Sequence, residues 1–239
     1  MNTSVELLSW DTKFLGYRVG RLLPTDSAAA SVQELIAAAR LQKIRLLYWS
    51  VDPADAQAVI TAELVGAFLA DRKVTYAMPV RTLPSAPSDC ITTTTHLTPQ
   101  LVSLALQSGH QSRFQNDPGF DSDVFERLYT HWIHNSVSGE IAREVLIYRA
   151  PGSVQEQGLM TLGVKKGRTD IGLLAVDVRA RSQAIGYQLV QASHQRAYAW
   201  GTDILQVVTQ RTNAGACRFY ERCGFMPEIV EHIYHIWLF

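Results

Sequence analysis

The segment 171–189 reads IGLLAVDVRARSQAIGYQL, and the organisation of the rest of the chain follows from it. Its first six residues are apolar or small and predict a strand, and its last residues predict a helix. Between them lies a turn of small and polar residues that begins at Arg181 and ends at Gly186. Backbone N–H groups at such a junction bind anions, aided by the partial positive charge of the helix N-terminus. The segment therefore predicts an anion site.

Two familiar phosphate-binding loops do not fit this turn. The nucleoside-triphosphate P-loop has Lys and then Ser or Thr after its last glycine, where this chain has Tyr187 and Gln188. The dinucleotide-binding fingerprint requires three glycines, and only Gly186 is present. A kinase, an ATPase and a Rossmann-type nucleotide site are therefore not expected.

Composition narrows the classes of partner. The 239-residue chain is 47% hydrophobic and has 22 Lys plus Arg against 22 Asp plus Glu. It is long and apolar enough for one large or two small packed domains. Because the charges balance, no global basic field attracts nucleic acid or an anionic membrane, and neither is expected as a partner.

The N-terminus and the cysteines bear on compartment and metal binding. Glu6 and Asp11 lie where a secretion signal needs a basic start and an unbroken apolar core, so we expect a cytoplasmic protein. Cys90, Cys217 and Cys223 match neither C-x-x-C nor a zinc spacing, so neither a disulfide nor a metal site is predicted. The sequence leaves the oligomeric state open, a homodimer included.

The first third of the chain alternates strands with helices. This order predicts a largely parallel or mixed sheet with crossover helices. The predicted elements are strands at 17–23, 44–51 and 73–80, a helix at 27–41 and a helix that opens at Asp52 and Pro53. A stretch rich in Pro, Ser and Thr follows at 81–95 and includes Pro84 and Pro87, which indicates a linker. The predicted domains are residues 1–83 and 90–239.

The second segment continues with strands and helices in a longer series. A helix is predicted after Thr98 as N-cap with Pro99 in its first turn. The other predicted elements are a strand at 91–95, a polar loop at 109–120, a helix at 125–137, strands at 144–150 and 157–164 joined to the opening strand by a hairpin turn at 165–168, and then a helix at 183–200, a strand at 204–209, a helix at 213–222 and a strand at 229–238.

Two blocks of the chain together resemble the GCN5-related N-acetyltransferases (GNAT). Arg181, Ala184 and Gly186 are similar to the superfamily's acyl-CoA signature R/Q-x-x-G-x-G/A, with Ala184 in place of the first glycine. The later block, NAGACRFYERCGF at 213–225, is similar to N-x-x-A-x-x-F/L-Y-x-x-x-G-F. The resemblance implies an α/β GNAT fold with a mixed, mostly antiparallel central sheet flanked by helices, preceded by a smaller, half-GNAT-like α/β domain.

The resemblance also implies acetyl-CoA, or another acyl-CoA, as co-substrate, held by the strand before the loop, by the loop itself and by the later block, with no metal. The implied CoA-binding residues are Leu174, Ala175, Val176, Arg181, Ser182, Gln183, Ala184, Ile185, Gly186, Tyr187, Asn213, Ala216 and Phe219. Tyr220 is implied as the general acid that protonates the leaving CoA sulfur. A tyrosine with a pKa of about 10 keeps its proton at neutral pH and suits this role.

Ala184 is the departure from the signature that has a steric consequence. Alanine tolerates negative φ, whereas positive φ is costly for any residue with a Cβ. We therefore expect either a negative φ at Ala184 or a looser hold on the pyrophosphate of CoA.

The sequence does not single out a general base. Several titratable residues lie in the region that forms the acceptor side in this family, and each is equally well explained as a solvated or structural group. They are His110, His131, His134, Asp117, Asp121, Asp123 and Glu126. A chain of water molecules could also remove the proton, so no base is named.

A narrower resemblance concerns the acceptor. The opening LSWDTKFLGYRVGRL and the segment from Ser112 to Asn135 are similar to the dTDP-fucosamine acetyltransferase branch of the superfamily, which acetylates a nucleotide-linked amino-dideoxy sugar. Arg113 could then pair with the diphosphate and Phe114 could stack on the thymine or the sugar. Trp10, Asp11 and Arg21 are expected to fix the start of the N-terminal sheet.

Two other classes of function stay open at this point. One is a GNAT acetyltransferase for another amine, such as a peptide N-terminus, an antibiotic or a polyamine. The other is a non-catalytic acyl-CoA-binding homologue, against which the retained Tyr220 and phosphate loop argue.

Overall fold

The computed structural model describes residues 4–24, 26–81 and 88–238. Contacts divide the chain into two compact units. The first comprises Met1–Val74, Asn116–Asp121 and Val230–Phe239, and the second comprises Thr75–Gln115 and Ser122–Ile229. The predicted domain limits enclose residues 82–87, with Pro84 and Pro87, which lie outside the described residues, so those limits stay a prediction. Within the described ranges, no helix has the length and apolar character needed to cross a bilayer.

The first unit is a sheet with crossover helices. In chain order its elements are β1 (Ser4–Leu7), α1 (Ser9–Leu15), β2 (Val19–Leu23), α2 (Ala29–Leu41), β3 (Leu46–Val51), α3 (Ala56–Leu64) and the first part of β4 (Phe68–Pro79), joined by the second part of β10 (Met226–Trp237). The strand order is β1-β2-β3-β10-β4. β2 and β3 are parallel because α2 connects them as a crossover, whereas β10 runs antiparallel to β3.

The core of the first unit is apolar and continuous. Leu47, Trp49, Tyr234 and Ile236 come from paired strands β3 and β10 and are almost fully buried. Arg21 and Glu6 form an exposed ion pair at 3.2 Å across β1 and β2, which agrees with a structural role for Arg21. Trp10 and Phe14 stack with their ring centroids 5.2 Å apart on α1.

Two sequence expectations for the first unit need correction. The strand β1 and the helix α1 were not predicted. The helix predicted to open at Asp52 begins at Ala56, and its N-cap is Asp55, whose carboxylate accepts the N–H of Ala58 at 3.0 Å. Asp52 instead accepts the N–H of Ala54 at 2.9 Å in the turn that precedes the helix.

The second unit is a mixed sheet flanked by helices, and it contains the segment 171–189. Its elements are the end of β4, then β5 (Ile91–Thr93), α4 (Pro99–Ser108), α5 (Arg113–Asn116), α6 (Val124–Val137), β6 (Glu144–Tyr148), β7 (Gly158–Lys165), β8 (Arg168–Val176), a 3-10 helix (Val178–Ala180), α7 (Ile185–Ala199), β9 (Ile204–Gln210), α8 (Ala214–Arg222) and the start of β10. The strand order is β4-β9-β8-β7-β6-β5.

Antiparallel pairs dominate this sheet. β5, β6, β7 and β8 pair antiparallel in succession, and β8 pairs parallel with β9. The predicted α/β fold with a mixed, mostly antiparallel sheet is therefore confirmed. The predicted hairpin turn is also confirmed, with Lys166 at φ 52° and Gly167 at φ 77° between β7 and β8.

The remaining differences concern boundaries. The loop predicted at 109–120 contains the short helix α5. The last helix-to-strand transition comes earlier than predicted, because β10 already begins at Met226. Thr98 does cap α4, as predicted, and accepts the N–H of Leu101 at 3.2 Å.

Candidate active site

A gap in the sheet opens between β8 and β9. The two strands pair in parallel only from Thr169 to Ile171, opposite Leu205 to Val207. β8 continues to Val176 and β9 to Gln210, but no further pairs join them. Beyond Ile171, the β9-facing edge of β8 therefore presents backbone groups to a ligand rather than to a neighbouring strand.

A β-bulge in β8 lies at the start of this gap. Met160 pairs with Leu174 and Leu162 with Ile171, so that Gly172 and Leu173 together face Thr161. The Thr161 hydroxyl accepts the N–H of Leu173 at 2.8 Å. A Cβ at Gly172 would lie 2.7 Å from the Thr161 hydroxyl, so glycine is required here. The extra residue bends β8 where its pairing with β9 ends.

The register identifies which backbone groups face the gap. The N–H of Asp177 donates to the carbonyl of Gln157 at 2.9 Å, and the N–H of Leu173 also points towards β7. Because backbone groups alternate along an antiparallel pair, Ala175 faces β7 as well, while Leu174 and Val176 direct their N–H and C=O groups into the gap. Of the three residues predicted from sequence, two thus offer backbone bonds to a ligand.

The loop after β8 adopts a conformation suited to anions. Ser182 and Ala184 both have left-handed backbones, with φ 64° and φ 56°. Ala184 precedes α7, and no side chain caps the helix at that position. The first N–H groups of α7 are therefore left for a ligand or solvent. Of the two alternatives expected for Ala184, negative φ is excluded, because the residue keeps the left-handed shape that glycine favours, at a cost of roughly 1–2 kcal/mol for an alanine.

The loop is held in place by charged and polar contacts at its start. Asp177 is 4% exposed, accepts bonds from the backbone and side chain of Arg179, and accepts another from Gln100 at 2.9 Å. The Arg179 guanidinium and N–H hold the pKa of Asp177 well below its usual range, so the carboxylate stays charged. Arg181 donates from Nε to the carbonyl of Val176 at 3.2 Å, which ties the loop to the end of β8.

Gly186 joins the two sequence blocks. A Cβ at this position would lie 3.1 Å from Cζ of Phe219 and 3.7 Å from a methyl carbon of Val176. The first turn of α7 thus packs closely on α8, and the two motifs recognised separately in the sequence meet in space. Replacing Gly186 would alter this packing as well as any ligand contact.

Helix α8 supplies Asn213 and Tyr220. Asn213 is the N-cap of α8, and its Oδ1 accepts the N–H of Ala216 at 3.1 Å, which leaves its amide N–H groups for other partners. Tyr220 is 6% exposed and packs against Phe219, Phe225 and Tyr76.

The electrostatic setting of Tyr220 keeps it protonated. Burial is the largest cause that raises the pKa of its hydroxyl, and the nearby Cys223 and Cys217 thiols add to it. Tyr76, which the sequence gave no reason to select, lies beside Tyr220 and donates its own hydroxyl to Glu221 at 2.8 Å. Only the tertiary structure could reveal that neighbour.

Comparison with known proteins decides the family. The model of the Acetyltransferase (GNAT) family matches residues 101–225, more than half of the chain. The chain belongs to the GNAT family. It is accordingly an acyl-CoA-dependent N-acyltransferase, and this family uses acetyl-CoA.

Individual relatives extend this finding. The chain is 29% identical to dTDP-fucosamine acetyltransferase from Escherichia coli O6:H1, with 100% of this chain and 99% of the relative covered. It is 27% identical to the spore coat polysaccharide biosynthesis protein SpsD of Bacillus subtilis over 59% of this chain and 47% of that protein. Among solved structures, a GNAT from Sphaerobacter thermophilus has a TM-score of 0.64 and 16% identity, covering 98% of this chain and 76% of that one.

The groups in the gap fit an acyl-CoA. The gap-facing N–H and C=O of Leu174 and the N–H of Val176 match a linear, amide-containing arm, and the left-handed loop with the uncapped start of α7 matches a pyrophosphate. These features lie consecutively along the chain.

The predicted acceptor residues Arg113 and Phe114 form an aromatic group with Trp132. Arg113 lies over the ring of Phe114 at 4.8 Å, and Phe114 meets Trp132 edge to face with ring centroids 6.3 Å apart. His131 and His134 both bond to the side chain of Asn135. Asp123 pairs with Arg127 at 3.2 Å.

Asp117 has a structural environment within the first unit. It is 4% exposed, and its carboxylate bonds to Nδ1 of His235, to the indole N–H of Trp237 at 3.0 Å and to the N–H of Gly119 at 2.8 Å. Burial raises the pKa of Asp117, but these hydrogen bonds outweigh it, and the net shift is downward. This pattern is that of a buried anchor for the segment Asn116–Asp121.

Proposed function

We propose that this protein transfers an acetyl or related acyl group from CoA to the amine of a dTDP-linked amino-dideoxy sugar. The observation that carries the proposal is the extent of similarity to dTDP-fucosamine acetyltransferase. That similarity covers the whole chain, whereas the GNAT family model matches residues 101–225 alone. The N-terminal part, which the family model does not match, is thus shared in sequence with a nucleotide-sugar enzyme.

The backbone of β8 and the following loop are proposed to bind the donor. When bound, the acyl-CoA supplies an acyl group activated as a thioester. The gap-facing N–H and C=O of Leu174 and the N–H of Val176 hold the pantetheine arm, and the N–H groups from Ser182 to Gly186 hold the pyrophosphate, with Arg181 nearby. An N–H in the gap also stabilises negative charge that develops on the thioester oxygen, because a fixed donor needs no reorganisation.

Tyr220 is proposed as the general acid. Because burial raises the pKa of its hydroxyl, the proton is retained at neutral pH and is available to a developing thiolate. Tyr76, Phe219 and Phe225 fix the ring from three sides, which limits the loss of side-chain entropy on reaction. Transfer of the Tyr220 proton becomes favourable only as negative charge accumulates on the CoA sulfur.

Arg113 and Phe114 are proposed to contact the nucleotide part of the acceptor. A guanidinium can bind a diphosphate through two parallel hydrogen bonds, and an aromatic ring can stack on a base or sugar face. Their mutual contact at 4.8 Å orients the guanidinium plane and the ring together.

Release of free CoA from acetyl-CoA tests the function. The acceptors to compare are dTDP-linked 3-amino and 4-amino dideoxy sugars, a peptide with a free N-terminus, a polyamine, an aminoglycoside antibiotic, and no acceptor. The proposal predicts turnover with a dTDP-amino sugar well above the other amines. Turnover with a different amine alone would contradict the substrate assignment, and CoA binding without turnover on any amine would contradict the enzymatic one.

A further inference from the structure

A cavity of about 250 Å³ lies within the second unit beside the β7–β8 hairpin. Its lining includes Ile141, Thr161, Gly163, Lys165, Asp170 and Gly172. Gly172 is also the bulge residue at which the gap between β8 and β9 begins. One end of the cavity therefore adjoins the gap, on the side opposite to the phosphate loop along β8.

Register places the polar residues of the cavity on one face of the sheet. Gly163 and Asp170 are direct partners across the hairpin, and Lys165 is two residues further along β7. Because side chains alternate along a strand, Lys165 and Asp170 project to the same side, with no side chain at Gly163 between them. The two glycines leave backbone uncovered and widen the cavity.

The two charged groups differ in how they are held. Asp170 accepts a hydrogen bond at 2.7 Å from Gln206, its partner on β9, which fixes the carboxylate close to the end of the β8–β9 pairing. Lys165 is exposed, and within residues 4–24, 26–81 and 88–238 no carboxylate pairs with it. Its cross-strand neighbour Arg168 is by contrast paired with Glu228 at 2.5 Å.

The cavity therefore has a cation at the hairpin end and an anchored carboxylate at the end next to the gap. We infer that it holds the amino-sugar ring and the adjoining phosphate of the acceptor, with the phosphate on Lys165 and the amine or a ring hydroxyl on Asp170. This inference rests on the proposed function. From Arg168, opposite Lys165, to Gly172 the strand advances by about 13 Å, a span that a lysine side chain and a sugar ring fill together.

The volume of the cavity suits the sugar and one phosphate of the acceptor, but not the whole nucleotide sugar. Sites that enclose a whole drug-sized ligand have about 300–1,000 Å³, so this cavity takes a sugar with one phosphate and leaves the nucleoside outside. An amine at the Gly172 end of the cavity lies two residues along β8 from Leu174, whose gap-facing backbone is proposed to hold the pantetheine arm. Donor and acceptor thus approach the bulge from opposite ends of β8.

The test compares Lys165→Ala with Lys166→Ala as the matched control. Lys166 is the adjacent lysine, is also exposed, and does not line the cavity. Acceptor and acetyl-CoA KM values are measured for wild type and both variants with the dTDP-amino sugar that supports turnover. Loss of one charge-assisted hydrogen bond should raise the acceptor KM of Lys165→Ala about tenfold or more. The acetyl-CoA KM should not change, and Lys166→Ala should behave as wild type.

Two further measurements test whether Lys165 contacts phosphate and whether Asp170 contacts the acceptor. With the same amino sugar lacking nucleotide and phosphate, Lys165→Ala and wild type should be equally active, because the lost contact is to phosphate. Asp170→Asn, which keeps the shape and the bond to Gln206, should also raise the acceptor KM.

An unchanged acceptor KM in Lys165→Ala, or an equal increase in Lys166→Ala, would overturn the cavity assignment. An increase of the acceptor KM in Arg113→Ala, with no increase in Lys165→Ala, would also overturn the cavity assignment. Absence of wild-type turnover with every nucleotide sugar would instead overturn the proposed function, so the two failures are distinguishable. Equal melting temperatures of the variants and wild type confirm that Lys165→Ala is folded.

Discussion

Replacing Ala184 by glycine should stabilise the protein, against the usual direction of an alanine-to-glycine change. Ala184 has φ 56° and precedes α7 without a side-chain cap. An L-residue in this region costs roughly 1–2 kcal/mol, from which the greater entropy of glycine in the unfolded chain removes roughly 0.5–1 kcal/mol. We expect a net gain of up to about 1 kcal/mol, or a rise in melting temperature of about 2–4 °C for a chain of this size.

Thermal unfolding measured by circular dichroism is the assay, with Ala37→Gly as the control. Ala37 is exposed in the interior of α2, where the same chemical change should cost about 1 kcal/mol. The two variants should therefore shift the melting temperature in opposite directions. A decrease in Ala184→Gly comparable to that in Ala37→Gly would refute the left-handed conformation at this position. Ala184→Gly should also bind CoA at least as tightly as wild type.

Three further predictions follow from the site and the core. Tyr220→Phe should lower kcat by about 10²-fold or more without changing the Kd for CoA, because only proton donation is lost; an unchanged kcat would return Tyr220 to a packing role. Gly172→Ala should lower both stability and kcat, because its Cβ would lie 2.7 Å from the Thr161 hydroxyl that bonds to Leu173, and wild-type values for both would contradict the bulge. In Asp117→Asn, the free energy of unfolding, measured with urea, should fall less steeply as the pH is lowered than it does in wild type. A depressed carboxyl pKa stabilises the fold above the unfolded value of about 3.9, and this contribution is lost as pH falls through the folded pKa. If the free energy of unfolding of the variant fell with pH as steeply as that of wild type, Asp117 would not be the group that causes the pH dependence.

Periodicity and capping signals account for most of the elements that sequence could predict. α4 carries Thr98, Pro99 and a buried apolar stripe, so both its start and its inner face are encoded locally. The helix α1 has only 7 residues and none of them is buried, so it is too short for a sustained apolar period. Asp52 and Asp55 are both good caps by residue type, and only the turn between them decides that the helix begins after Asp55.

The sequence predicts which residues belong to the candidate site but not their backbone conformation or the strand pairing around them. Motif spacing selected Arg181, Gly186 and Tyr220, and the structure brings the loop and α8 together through Gly186 and Phe219. The positive φ of Ala184 could not be predicted, because alanine by itself favours negative φ and the surrounding fold overrides that preference. The gap between β8 and β9 is a property of backbone pairing, which leaves no side-chain pattern.

The cavity next to the bulge was invisible in the sequence for a different reason. Lys165 and Asp170 belong to one site only because the hairpin register places them on the same face of the sheet. A one-residue change in that register would move them to opposite faces. Their roles therefore depend on the backbone of the turn between β7 and β8, where residues 166 and 167 have positive φ, and not on the side chain of Lys166.

The mass of the product shows whether the protein transfers an acyl group to a nucleotide-linked amino sugar. The wild-type protein is incubated with acetyl-CoA and a dTDP-linked 4-amino-4,6-dideoxy sugar, and the nucleotide sugar is analysed by mass spectrometry. The sugar should gain one acetyl group on its amine while an equal amount of free CoA appears. An unmodified nucleotide sugar, together with acetylation of a peptide, polyamine or antibiotic amine by the same preparation, would contradict the proposed function.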